Sequence, residues 1–317
     1  MKNTSYSLYR LIVVGPSLSI SRDMVALMKP SRTKLRLVEA QADILGELAT
    51  DLTAHSTMLA QLGLPYRKPK GKIFERKSGP YALQLRAGSA MTNNGFLRMD
   101  IPYGSKSRLV LLMLTGAAVR LGTRHVPVDR TFTAFCRDTL GLDTGGKTLG
   151  ILKKQLLNMS CVDMTLAYDR GESIDIVQGA IFSKLRVALQ RDANQTLLWP
   201  DQITFSEAFY ESLETHRYML DTRAIRALSH SSRALDIYCW LAYRAHKLKR
   251  PTKIRWTSLL YQFSDSPRGA SMTSFRQRFK TALKSALVVY PSCRVEITKT
   301  GLTIFPSKPP ILPRRQA

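Results

Sequence analysis

Residues 234–248, ALDIYCWLAYRAHKL, place Leu235, Ile237, Tyr238, Trp240, Leu241, Ala242, Ala245 and Leu248 around nearly the whole helical circumference. No face is left for water, so the pattern predicts a buried helix. Downstream it predicts a short strand over 252–256, a short helix over 257–263, a break at SDSPRGA and a longer helix over 271–291. Two alternating runs over 293–307 then meet at a Lys-Thr-Gly turn and predict a hairpin.

The same succession occurs earlier in the chain. A buried helix over 106–122 precedes the strand HVPVD, a helix over 129–142, the turn DTGG, a helix over 147–159 and a hairpin over 161–182 about Asp-Arg-Gly. Helix, strand, helix, helix and hairpin is the order of a winged helix, so the expected fold is α+β with two tandem winged-helix domains, each a helix-turn-helix plus a β-hairpin wing. Ahead of the first lies a long amphipathic helix over 33–62, with Val38, Leu45, Leu52 and Leu59 seven apart. Packing onto its own domain is favoured there over a coiled coil, because the polar positions hold no Glu/Lys ladder. Residues 65–72 read as a loop, and 81–88 with 95–102 as a hairpin. The expected division is a mobile basic arm over 1–32, a first domain over 33–190, a second over 191–312 and a basic tail over 313–317. A linker falls at 186–195, and Ser206 is placed to cap a helix over 206–214.

Helix faces suggest chemistry. Over 271–287, Met272, Phe275, Phe279, Ala282, Leu283 and Ala286 form a core stripe. Opposite stand Ser274, Gln277, Thr281 and Lys284, flanked by Arg278 and Lys280, side chains able to meet base edges in the middle and phosphates at the sides. Over 147–159 the inward set is Leu149, Leu152, Leu156 and Met159, and the outward set includes Lys147, Lys154 and Asn158 beside Lys153. Arg268 ahead of the later helix and Lys299 in its hairpin complete the candidate DNA contacts. Between 267 and 299, Glu296 is the single acid among Arg268, Arg276, Arg278, Lys280, Lys284, Arg294 and Lys299. A merely solvated helix mixes its signs.

Composition extends that bias to the whole chain. Lys plus Arg number 48 against 23 Asp plus Glu over 317 residues, a formal charge of +25. Phosphate neutralisation is the usual reason, which puts double-stranded DNA first among expected partners. No membrane partner is expected, because the most apolar stretch, 108–122, is interrupted by charge well short of a span. A cytoplasmic location follows, and Cys136, Cys161, Cys239 and Cys293, far apart in apolar contexts, are expected to be reduced thiols.

Residues 141–148, GLDTGGKT, satisfy the phosphate-loop pattern, but a helical segment rather than a buried strand precedes them. A turn between helices is the expected role. His55, His125, His216, His230 and His246 form no metal-ligand spacing, and the carboxylates are scarce and unclustered, so no enzymatic activity and no cofactor are expected.

The run RALDIYCWLAYRAHKLKRPTKIRWTSLLYQF, with FRQRFKTALKSALVVYP and RVEITKTGLTIFPS, resembles the C-terminal region of plasmid-encoded RepA-type replication initiators. LPYRKP, IPYGSKSRLVLLMLTGAAVR and TGGKTLGILKKQL are similar to the N-terminal module of that family, so the resemblance covers about residues 62–309. Where the family often has Gly-Gly-Arg, this chain has Gly145, Gly146 and Lys147. The resemblance implies binding to repeats in a plasmid origin, opening of the adjoining duplex, and recruitment of host replication proteins including the host initiator and helicase. It also implies a homodimer that represses its own gene. A winged-helix transcriptional regulator without an initiation role is the alternative, and the two DNA-facing units favour initiation.

Overall fold

Ser31 caps the first helix of the computed structural model, α1 (Arg32–Gly46), its hydroxyl accepting from the Lys34 amide. The model describes residues 31–92, 95–129, 131–184 and 202–311. Of the arm expected over 1–32, residues 1–30 lie outside the described residues, as do the linker at 186–195 and the tail at 313–317, while Ser31 and Arg32 already belong to the start of α1. On α1 Leu37 and Ala40 are buried and Ile44 packs partly buried against the core, while Leu45, and Leu48 just past the helix, are exposed. The single helix expected over 33–62 is therefore corrected. The chain leaves α1 at Gly46 and continues as β1 (Leu52–Ser56) and the short α2 (Thr57–Leu62). The reason is non-local: β1 pairs antiparallel, Leu52 against Asp221 and Ser56 against Arg217, with a strand far downstream. Such pairing overrides the heptad-like leucine spacing.

Strands β2 (Ile73–Ser78) and β3 (Tyr81–Ala87) form a hairpin, and β4 (Ser89–Thr92) with β5 (Gly95–Arg98) forms another. The hairpin expected between 81–88 and 95–102 is thus corrected: β3 takes β2 on one side and a later strand on the other. Phe74, Leu83 and Leu85 supply its buried face. In the sequence β2 is disguised by Glu75, Arg76 and Lys77, of which Arg76 points inward and is buried.

The buried helix α3 (Gly104–Leu121) lies against β1, and Gly116 makes the approach possible, since a Cβ there would sit 3.0 Å from Thr53 Cα. There follow β6 (His125–Pro127), α4 (Phe132–Ala134) running into a π turn over Phe135–Thr139, and α5 (Gly146–Cys161). Next come β7 (Val162–Asp169), β8 (Ile174–Ala180), β9 (Phe182–Lys184) and β10 (Gln202–Phe205). Helix α6 (Glu207–Thr215) begins at Ser206, whose hydroxyl accepts from the Phe209 amide, the cap expected from sequence. The chain continues through β11 (Arg217–Asp221), α7 (Thr222–Leu228), α8 (Ser232–Arg244), β12 (Thr252–Arg255), α9 (Trp256–Phe263), α10 (Met272–Val288), β13 (Val295–Ile297) and β14 (Gly301–Ile304).

The architecture is α+β, with sheet orders β2-β3-β7-β8, β6-β10-β9, β12-β14-β13, β1-β11 and β4-β5. The expected element order recurs, α3-β6-α4-α5-β7-β8 and α8-β12-α9-α10-β13-β14, but the strand pairing does not. In the later copy β12 pairs with its own hairpin, whereas in the earlier one β6 pairs with β10 and the hairpin β7-β8 joins β3. Hydrogen bonding also crosses the boundary expected near residue 190, through β10 and through β1-β11. One continuous apolar cluster runs through both halves, with Trp240, Tyr238, Phe279 and Phe135 fully buried. Among the described residues no helix is long and apolar enough to cross a membrane.

Candidate nucleic-acid interface

Helix α10 starts at Ser271, whose hydroxyl accepts from the Ser274 amide at 3.3 Å. Of its expected core stripe, Phe275, Phe279, Ala282, Leu283 and Ala286 are buried and Met272 is half-buried, with Phe279 edge-on to Trp256 and Phe263 at 5.8 and 5.4 Å. That packing fixes which face is left for solvent. Gln277, Arg278, Lys280, Thr281 and Lys284 are exposed there, and Ser274 is half-buried. The Thr281 hydroxyl donates to the Gln277 carbonyl at 3.1 Å, leaving its lone pairs outward. Arg276 belongs to neither group, because its guanidinium turns back over the Trp256 ring at 5.5 Å.

Beside α10, Lys299 is exposed in the turn between β13 and β14. The turn is tied by the Thr298 amide to the Gly301 carbonyl at 2.9 Å and by the Gly301 amide to the Thr298 hydroxyl at 3.0 Å. Gly301 is required where β14 passes β12, since a Cβ would lie 1.9 Å from the Ile254 carbonyl oxygen. Arg268 is exposed in the loop that leads into α10. The α10 residues, Arg268 and Lys299 therefore occupy neighbouring elements of one unit.

In α5 the expected inward residues Leu152, Leu156 and Met159 are buried, and Lys147 and Lys154 are exposed with Lys153 half-buried. Asn158 is corrected. It is fully buried, and its Oδ1 accepts from the Asp100 amide at 3.2 Å. Gln155 is buried one turn earlier and accepts from the Tyr103 amide at 2.9 Å and the Ser107 hydroxyl at 2.7 Å. These amides hold the segment entering α3, so the second half of the polar face of α5 is structural. Residues 141–145 follow helical residues, not a strand, so the GLDTGGKT segment lacks the strand-to-helix setting of a phosphate loop.

A charged feature missed in the sequence surrounds the loop after α2. Arg108 of α3 donates to Asp236 of α8 from Nε at 2.7 Å and Nη2 at 2.8 Å, and to the Pro65 carbonyl at 3.0 Å. Arg76 of β2 pairs with Asp265 at 2.6 Å and donates to the Leu62 carbonyl at 2.6 Å. Asp265 in turn accepts from the Tyr66 and Arg67 amides at 2.8 and 3.0 Å. Arg76, Arg108 and Arg233 stand 5.2, 4.8 and 4.6 Å from the centre of the Tyr66 ring. Arg108 and Arg233 each follow a serine near the start of α3 and α8. That shared Ser-Arg pair, with the LPYRKP segment that supplies Tyr66 and Arg67, is the sequence signal for the junction. On the far side of the loop, Asp100 meets Lys68 at 2.8 Å, Lys72 at 3.4 Å and Lys154 at 3.5 Å. The hydrogen bond from Lys68 holds the Asp100 carboxyl below its ordinary range.

Residues 101–258 match the family model described as plasmid encoded RepA protein. Two crystal structures of domains 2 and 3 of RctB are similar in fold at 10% and 11% identity, each with a TM-score of 0.47. The similarity covers 78% of this chain and 95% and 94% of theirs. No curated protein gives a significant match.

Proposed function

The chain belongs, through residues 101–258, to the plasmid-encoded RepA protein family, and from that premise we propose that it is a DNA-binding initiator of plasmid replication. The two repeated units act as winged helices. Helix α10 enters a major groove, with Gln277 and Thr281 toward base edges and Arg278, Lys280 and Lys284 toward phosphates, while Lys299 and Arg268 hold the backbone on either side. Helix α5 brings Lys147 and Lys153 to a second groove segment about one helical turn away.

What supports this reading above all is the one-signed outer face of α10, set opposite a buried aromatic stripe. A helix meant only for water would carry acids among its bases. Bound at repeats in the origin, the protein favours opening of the adjoining duplex and recruits the host initiator and helicase, and a homodimer of the chain represses its own gene. It performs no catalytic step itself.

Footprinting of the purified protein over the DNA flanking its gene tests the reading. Protection of repeated sites in two segments per site is expected, together with loss of an origin-only plasmid when the protein is not supplied. Maintenance of that plasmid without the protein, alongside a promoter footprint, would instead identify a transcriptional regulator.

A further inference from the structure

We infer that residues 67–72 form a third DNA contact, a phosphate strap that joins the two reading helices into one continuous surface. The inference rests on the DNA-binding reading above and adds a surface that neither helix contains.

The two ends of the loop are pinned to the two units. At one end the Tyr66 and Arg67 amides are held by Asp265, in the loop that carries Arg268 into α10. At the other, Lys68 and Lys72 share Asp100 with Lys154 of α5. Residues 66–72 can span at most about 20 Å. Phosphates of one strand follow each other about every 3.4 Å along the duplex axis, so the strap faces several of them.

The charge count separates a strap from an internal tie. Arg67, Lys68, Lys70 and Lys72 are all exposed, and Lys154 stands exposed beside them. One carboxylate, Asp100, would be neutralised by one lysine, yet three converge on it. Arg67 and Lys70 have no carboxylate partner among the described residues. The loop is held rigidly as well, because Tyr66 is ringed by three guanidiniums and Lys72 donates to the Met99 carbonyl at 3.1 Å. Ordered, exposed and uncompensated positive charge suits backbone contact and carries no base preference.

Binding of the full chain to an origin duplex and to a random duplex, measured across a salt series, tests the strap. Arg67→Ala/Lys70→Ala should weaken both complexes by the same several-fold factor and make the log–log salt slope shallower by about 1.8, with the specificity ratio unchanged. Asp100→Asn should do the reverse, freeing lysines to bind phosphate and steepening the slope, and it decides the matter even if the double variant folds poorly. Unchanged affinity and slope in both variants, while Arg278→Ala still weakens binding, would overturn the strap and leave the DNA-binding reading standing. A wild-type chain that binds no duplex at all would remove the reading itself.

Discussion

Arg108 and Asp236 face each other through two nearly parallel hydrogen bonds of 2.7 and 2.8 Å, joining the first helices of the two repeated units, α3 and α8. Their side chains are 4% and 13% exposed, so each charge depends on the other for the solvation it has lost. Asp236→Ala should destabilise the fold by about 3 to 5 kcal/mol, because the guanidinium stays buried without its partner. Arg108→Ala should cost a similar amount, and the double variant clearly less than the sum. Urea denaturation of the four proteins measures the coupling; additive costs would show that the pair does not hold the units together.

His55 lies in β1 with its Nδ1 buried and unpartnered, 5.8 Å from the Tyr218 ring. Burial lowers its pKa from 6.5 to about 4 in the fold, with Asp236 opposing and Arg108 reinforcing the shift. Between those values the unfolded chain holds a proton that the folded chain refuses. Stability is therefore complete above 6.5 and falls as pH drops toward about 4, with a slope approaching about 1.4 kcal/mol per pH unit from this group. His55→Gln should remove that component, so the wild-type and variant stability curves should converge on acidification. Parallel curves would exclude His55 as the source.

On α10, Arg278→Ala and Lys280→Ala should each make the salt slope for duplex binding shallower by about 0.9, equally for origin and random sequence. Gln277→Ala should act on discrimination, costing about 1 to 3 kcal/mol on the specific site and little on random DNA. Fluorescence anisotropy on paired duplexes resolves the two behaviours, and equal losses for Gln277→Ala would remove it from the base-reading set.

The pairing of β14 with β12 depends on a single absent side chain. With a Cβ at residue 301 only 1.9 Å from the Ile254 carbonyl, Gly301→Ala must push β14 away from β12. An overpacking cost of about 1 to 3 kcal/mol is expected, with faster hydrogen exchange over 252–255 and weaker DNA binding through displaced Lys299. Wild-type exchange rates at those amides would contradict it.

Much of the later unit was legible because its signals are local. The all-round apolar pattern of α8, the aromatic stripe of α10 and the hairpin turn before Gly301 depend on neighbours in sequence. What escaped depends on distant partners. The strand β1 lay inside an expected helix because its partner is β11, and β2 was concealed by the inward-pointing Arg76, whose charge is balanced by Asp265. Asn158 has the spacing of an exposed residue on α5, yet it is buried by the segment before α3, whose Asp100 amide needs an acceptor. Helical periodicity fixes the angle of a side chain about its axis. It does not say whether another part of the chain will cover that angle.

The pairing of β1 with β11 also bears on synthesis. Thr53 and Thr222, whose hydroxyls meet at 2.8 Å at the end of that ribbon, are 169 positions apart. At roughly 5 to 20 residues per second, β1 leaves the ribosome on the order of ten to thirty seconds before its partner exists. Throughout that interval the face of α3 around Gly116 has a strand to receive whose one strand partner has yet to be made. The upstream half of the chain therefore completes its fold only after the downstream half has begun, and a message truncated between the two would yield a fragment with an open strand edge, a substrate for chaperones rather than a working module.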